Sequence, residues 1–389
     1  MKFVKTEALK VGMRLARPIY NRDGVLLYER NSKLTSQGIQ SIRNFALIGI
    51  FILEPAEPVP PMTEEDIAFE RYQAMAVFAV REELAMILQT KKAPKIQVIA
   101  SNVIKNYGHL DHKINFIQNL RSKEDFVYKH SVNVAILCAM IAHNMNIKPE
   151  EQLETVLAAL VHDIGKLMVS EGLQEKEALT EQEKVIQQAA ETNGHEAIEM
   201  VFSANPNIKR ICVQSQKALV DFNSGIYSET RLVEGAKILM VAELFDSMTA
   251  MSVNGVPESE VVAIRLLLER KDVFEQKVVV ALIRSINLLR PGLTVELNTG
   301  EKGIVITAND EDILYPVVLS FSDNQVLDLS DRNTYGDLEI KDIMKTLDNR
   351  HVMDVEFLKE NGYDYMIKEP EYVSVSLEEE KEYVPGIDF

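Results

Sequence analysis

From about residue 96 to residue 288, apolar side chains recur at three- and four-residue spacing in nearly every segment, with polar loops between. A chain that keeps the helical period for so long must bury the resulting stripes against one another, so an all-helical core is expected before any motif is read. Two stretches, 132–142 and 153–161, are apolar almost all round and belong at the centre of that core. The first is short for a bilayer and carries Asn133, so it reads as a buried helix rather than a membrane span.

The flanks follow other periods. Residues 1–55 alternate short β-type runs with turn chemistry. Asn21-Arg22-Asp23-Gly24 between two such runs is a hairpin signal, Thr35 can cap a helix over 36–45, and a last strand is expected at 48–53. A Pro-rich break at 54–61 cannot join a helix or a central strand. A long helix follows from Thr63, with Glu64-Glu65-Asp66 in its first turn where negative charge suits the dipole. Beyond Pro291-Gly292 the pattern switches to strand periodicity, with turns at 298–300 and 309–310. The expected fold is therefore mainly α. An N-terminal α+β module (1–55), a Pro-rich linker with its helix (56–95), an all-helical domain (96–289), a small β-rich module (290–331) and a mixed segment with an acidic tail (332–389) follow in order.

Hydrophobic residues at 46% and charged residues at 26% are the balance of a globular chain rather than a disordered one. The formal net charge of -17 disfavours DNA, RNA and anionic lipid as partners, although it does not describe any single pocket. Only Cys138 and Cys212 occur, both in apolar helical surroundings, so they are expected as small core residues in a reducing compartment. The first residues, Met1-Lys2-Phe3-Val4-Lys5-Thr6-Glu7, contain no apolar signal region, and a cytoplasmic location is expected.

The strongest chemical signal is Leu160-Val161-His162-Asp163-Ile164-Gly165-Lys166, at the end of an apolar helix. An imidazole and a carboxylate buried there without partners are costly. A divalent cation bound by both would offset that cost, and so would hydrogen bonds satisfying a buried helix end. His130 opens another buried helix and Glu243 ends a third, so His130, His162, Asp163 and Glu243 form a candidate metal quartet on three core helices. His130 can instead bond backbone, Glu243 can be a surface or salt-bridged glutamate, and Lys166 can simply favour a helix C-terminus. His109 and His112 have a spacing that suits a metal on a helix but read better as a solvated face; His143, His195 and His351 read as structural or exposed.

The order His…His-Asp…acid, with HDIGK written in full, resembles the HD phosphohydrolase superfamily. More narrowly the chain resembles the HD-GYP class of cyclic di-GMP phosphodiesterases. The likeness includes the HSVNVA stretch from His130, Leu179-Thr180-Glu181-Gln182-Glu183, and AKILMVAELFDSMTA from Ala236. The opening module, with Leu9-Lys10-Val11-Gly12-Met13 and Asp23-Gly24-Val25-Leu26-Leu27, and the β-rich tail are similar to segments that often flank this domain. The resemblance implies a metal-dependent hydrolysis in which His130, His162, Asp163 and Glu243 hold metal. Asp163 and Lys166 would then serve catalysis, and Lys166 with Lys217 would meet the phosphate.

The departures are specific. The next metal histidine of the family falls on Ala190, beside the retained Gly194, and His195 is out of register. Where the family writes HHE and then DGxGYP, this chain has Lys217-Ala218-Leu219 and Phe222-Asn223-Ser224-Gly225-Ile226-Tyr227. Glu243 stands for an aspartate, and the usual basic and aromatic residues are not recognisable in Met251-Ser252-Val253-Asn254-Gly255. Without those histidines a multinuclear centre is not expected; one divalent ion such as Fe or Mn is, or none. Two functions follow. One is a degenerate phosphohydrolase whose family substrate is cyclic di-GMP, working with one ion. The other is a catalytically inactive sensor or scaffold that binds a nucleotide or a protein partner. Apolar positions on the linker helix suggest a homodimer in either case.

Overall fold

A computed structural model describes residues 2–44, 49–53, 62–118, 120–121, 125–169, 180–226, 231–252, 257–309 and 312–343. The Pro-rich break at 54–61, Leu179, Tyr227, residues 253–255, Asp310, His351 and the acidic tail lie outside them. Two compact units are formed, one running to Ala74 and resuming at Leu288, the other spanning Met75–Asn287.

In the first unit, β1 (Lys2–Lys5), β5 (Gly49–Leu53) and β2 (Arg14–Leu15) make an antiparallel sheet in the order β1-β5-β2. Strands β3 (Ile19–Tyr20) and β4 (Leu26–Tyr28) form the expected hairpin. Its turn is held by Asn21 Oδ1, which accepts the N–H groups of Asp23 and Val25 at 2.9 Å, while Gly24 takes φ +72°. Thr35 caps α1 (Ser36–Asn44) by accepting the Gly38 N–H at 3.0 Å. Leu15, Leu34, Ile42 and Ile52 pack beneath as a small core. Helix α2 (Glu64–Thr90) starts in this unit; Thr63 and Asp66 cap each other through N–H bonds of 3.0 and 3.1 Å.

The C-terminal segment of the same unit is an antiparallel five-stranded sheet. It is built from β8 (Thr294–Leu297), β9 (Lys302–Thr307), β10 (Val317–Ser320), β11 (Val326–Asp328) and β12 (Ile340–Ile343), in the order β11-β10-β9-β8-β12. The sheet runs past residue 331 because β12 returns, after the short α11 (Arg332–Tyr335), to pair with β8.

The second unit is helical, as the period demands: α3 (Ile96–Tyr107), α4 (Phe126–Asn144), α5 (Pro149–Val161), α6 (Glu181–Val201), α7 (Pro206–Asn223), α8 (Glu234–Thr249), α9 (Glu260–Glu269) and α10 (Gln276–Ser285). Helix α4 is central and packs against α3, α5, α8 and α10. By length and composition it is the one helix among the described residues that could cross a membrane, yet 78% of its most apolar window is buried inside the protein. It is a core helix. Cys138 and Cys212 are buried and free. One departure from the helical reading is β6 (Leu120–Arg121), which pairs in parallel with β7 (Met251–Ser252); two-residue strands leave no period in a sequence. His109 and His112 lie in the loop after α3 rather than on a helix.

Helix α5 stops at Val161, and the chain turns through a 3₁₀ segment, Ile164–Met168. Helix α6, opened by a Thr180–Glu183 capping box, presses its backbone on that turn. The contact needs glycine on both sides. A Cβ on Gly165 would lie 2.8 Å from the Ala190 carbonyl oxygen, and one on Gly194 would lie 2.8 Å from the Gly165 backbone. Alanine inside a helix is normally favoured over glycine by about 1 kcal/mol. Here the obstruction is backbone and cannot swing aside, so overpacking of about 1–3 kcal/mol should win. Gly194→Ala is therefore expected to lower the thermal midpoint by several degrees, measured by calorimetry; a raised midpoint would mean that α6 does not press on this turn.

Candidate metal centre

Three side chains converge where α4, α5 and the 3₁₀ turn meet. The ligand atoms of His130, His162 and Asp163 all lie within 4.8 Å of one another. His130 is fully buried, and the His162 and Asp163 side chains are each 6% exposed. His130 Nε2 is 3.3 Å from His162 Nε2 and 3.6 Å from Asp163 Oδ2; His162 Nε2 is 3.7 Å from Asp163 Oδ1.

The tautomers are fixed from behind. His162 Nδ1 donates to the Ala159 carbonyl at 2.8 Å, because α5 ends at Val161 and leaves that carbonyl in its last turn. His130 Nδ1 donates to Asp246 Oδ2 at 2.6 Å. In its neutral form each ring, with its proton held on Nδ1, turns the Nε2 lone pair into the cluster, towards the other ring and a carboxylate. Donors arranged in this way repel one another until a cation stands among them. The residues fit a divalent ion with nitrogen and oxygen ligands.

Asp246 is the residue that the sequence motifs did not single out. Fully buried on α8, it accepts Arg121 Nη2 at 2.6 Å, Gln118 Nε2 at 3.0 Å and Asn133 Nδ2 at 3.1 Å, all on Oδ1. Arg121 is itself buried, bonds Gln118 Oε1 at 3.0 Å, and lies 5.4 Å over the Phe126 ring. Burial alone would raise the Asp246 carboxyl; the Arg121 charge and the hydrogen bond from His130 outweigh it and hold the group well below the usual carboxylate range. Burial lowers the His130 imidazole more than the neighbouring carboxylates raise it, which keeps the ring neutral and able to bind metal. The visible signal was a carboxylate three residues after Glu243 in an otherwise apolar helix, which demands a buried partner.

The remaining expected site residues are placed as follows. Lys166 Nζ donates to Asp163 Oδ2 at 2.6 Å, with its side chain 38% exposed at the edge of the centre. Burial opposes its charge, but the carboxylates of Asp163, Glu243 and Glu191 raise it above the ordinary lysine value. Burial likewise raises the Asp163 carboxyl, and the charge and hydrogen bond of Lys166 oppose this and hold it low. Glu243 lies half-buried on α8, close enough to act on Lys166, but it is not among the ligand atoms that close to within 4.8 Å. Ala190 is buried against Gly165, and Glu191, its neighbour, is raised by its own burial. Lys217 is exposed on α7 and lines a separate concavity. His143 bonds the Asp111 carboxylate at 3.0 Å, outside the cluster.

A family model described as HD domain matches residues 127–248, which contain His130, His162, Asp163, Glu243 and Asp246. The chain is 22% identical over 335 residues to the cyclic di-GMP phosphodiesterase PA4108 of Pseudomonas aeruginosa, with 80% of each protein covered. Over 82 residues it is 37% identical to the 3'3'-cGAMP-specific phosphodiesterase 1 of Vibrio cholerae, covering 21% of this chain and 19% of that protein.

Replacing Asp246 by Asn keeps the shape and removes the charge. Arg121 is then buried without its counter-ion, at a cost of about 3–5 kcal/mol in unfolding free energy. His130 loses the acceptor that orients it, and metal affinity should fall by about 10–100-fold. Denaturant unfolding and titration against a competing chelator measure the two effects; unaltered metal affinity would show that Asp246 does not orient His130.

Proposed function

This chain carries an HD phosphohydrolase domain of the HD-GYP type, and from that premise we propose that it is a signalling phosphodiesterase with a reduced, single-ion centre, acting on cyclic di-GMP or a related cyclic dinucleotide. The observation that carries the reading is the closure of His130, His162 and Asp163 into one cluster, with the Nδ1 of each ring hydrogen-bonded behind it and each Nε2 facing inward. Support for reduction to one ion comes from Ala190, which offers only a methyl group where the resemblance expects a histidine, and from Lys217 and Ala218 in place of a histidine pair.

In this reading His130, His162 and Asp163 would hold an ion such as Fe or Mn, and Glu243, which stands outside their cluster, would join as a fourth ligand only by turning its side chain inward. When bound, such an ion polarises a phosphoryl oxygen and acidifies water. The protein's own groups do the rest. Asp246 keeps the His130 proton on Nδ1 and the Ala159 carbonyl keeps that of His162 on Nδ1, so neither ring moves its proton as substrate arrives. Asp163 anchors the Lys166 ammonium at the edge of the centre, where it meets a phosphate oxygen and supplies positive charge as the phosphorus is attacked. A cytoplasmic location belongs to the same proposal. So do protein partners and a homodimer formed through α2, where Phe78 and Met86 are exposed.

Metal analysis of protein purified without chelator should find about one ion per chain. A panel of cyclic di-GMP, 3'3'-cGAMP, linear dinucleotides and nucleoside monophosphates should reveal hydrolysis of a cyclic dinucleotide. His162→Ala should abolish both metal content and turnover. Metal-free wild-type protein that cleaves nothing, and whose partner binding survives His162→Ala, would leave the inactive sensor or scaffold in its place.

A further inference from the structure

The helical unit holds a concavity, about 570 Å³ in volume, between α7, the start of α8 and the loop 270–275. None of His130, His162, Asp163 or Lys166 lines it. Helix α7 buries Cys212 and Ser215 in the core and presents Gln214, Lys217 and Asp221 to this groove.

Five cationic side chains and three carboxylates line the groove, and the pairing among them is uneven. Lys237 is committed to Glu275 at 2.5 Å and Glu234 at 3.4 Å. Arg270 is committed to Asp272 at 2.9 Å, with its guanidinium 4.9 Å over the Phe222 ring. Lys217, Arg231 and Lys271 have no ion-pair or hydrogen-bond partner among the described residues, and Asp221 is the one unpaired carboxylate facing them. An excess of two unpaired positive charges gathers in one groove of a chain whose net charge is -17. Like charges gathered without counter-ions repel, so the arrangement favours an anion.

The charge and the walls together narrow its class. An excess of two matches a phosphomonoester near neutral pH. The volume lies within the range of small-molecule sites. Val213, Ile226, Leu232, Met240 and Val273 add an apolar wall, and Phe222, already stacked under Arg270, is braced edge-on by Phe274 with ring centroids 5.2 Å apart. Inorganic phosphate would leave that wall unused, whereas a nucleobase would cover it. We propose that this groove is a nucleoside-phosphate site distinct from the metal centre, with Lys217, Arg231 and Lys271 meeting the phosphate and the apolar wall meeting the base. The proposal does not rest on the metal centre being active.

The test is calorimetric titration of the full-length protein with GMP in the presence of chelator, so that no metal contributes. One saturable site is expected, weakening with added salt, and GMP should bind more tightly than inorganic phosphate. The double variant Arg231→Ala/Lys271→Ala should bind roughly tenfold or more weakly, as loss of charged hydrogen bonds implies. The charge-preserving Arg231→Lys/Lys271→Arg should bind nearly as wild type, which separates lost charge from a damaged fold. His162→Ala should bind GMP undiminished. Absence of saturable binding, equal binding by the alanine double variant, GMP no better than phosphate, or binding lost only in His162→Ala would each overturn the proposal.

Discussion

Everything at the centre of the helical unit depends on one buried carboxylate. Asp246 has no access to water, and an uncompensated charge there would be prohibitive. It is compensated by four donors from two stretches of chain: Gln118 and Arg121 before α4, His130 and Asn133 on α4. Such a network adds little net stability over an apolar core of the same volume, because desolvation consumes most of the Coulomb gain. It contributes geometry. The carboxylate that neutralises Arg121 is also the acceptor that settles which nitrogen of His130 faces the metal ligands.

The parts of this arrangement that were legible in the sequence are those with a local cause. Helical period placed α4 and α5 and made them central. Asn21 and Gly24 announced a hairpin, Thr35 a cap, and His162-Asp163 at the end of an apolar helix announced buried chemistry. What was not legible has tertiary causes. The partners Arg121 and Asp246 stand 125 residues apart, and nothing near either one says that the other will be there. Arg121 sits in a two-residue strand, too short to show alternation, and Asp246 follows Glu243 in a motif where either carboxylate could be the inward one. The structure separates them by environment: Asp246 is fully buried behind His130, while Glu243 is half-buried towards Lys166.

Net charge was a poor guide for the same reason. A balance of -17 describes the average surface, yet Lys166 at the metal centre and the unpaired cations on α7 and the 270–275 loop create local fields of the opposite sign. Helix α8 carries both regions. Lys237 and Met240 line the groove, and Glu243 and Asp246 follow at three-residue intervals towards the centre. Each three-residue step drifts by about 60° around a helix, so Lys237 and Asp246 lie on opposite sides of α8: one end of the helix serves the groove and the other the centre.

The two halves of the expected active site differ in what holds them. The half on α4, α5 and α8 is fixed by bonds that do not need an ion: Asp246 to His130, the Ala159 carbonyl to His162, Lys166 to Asp163. On α6 and α7 the chain has Ala190, Lys217 and Ala218 where the resemblance expects histidines, yet α6 rests on the turn after His162 through Gly165 and Gly194, a contact of backbone with backbone that no ligand side chain maintains. Histidines on α6 and α7 are therefore not what supports the turn or aims the two imidazoles. The constraint that builds the cluster of His130, His162 and Asp163 lies behind the histidines rather than between them.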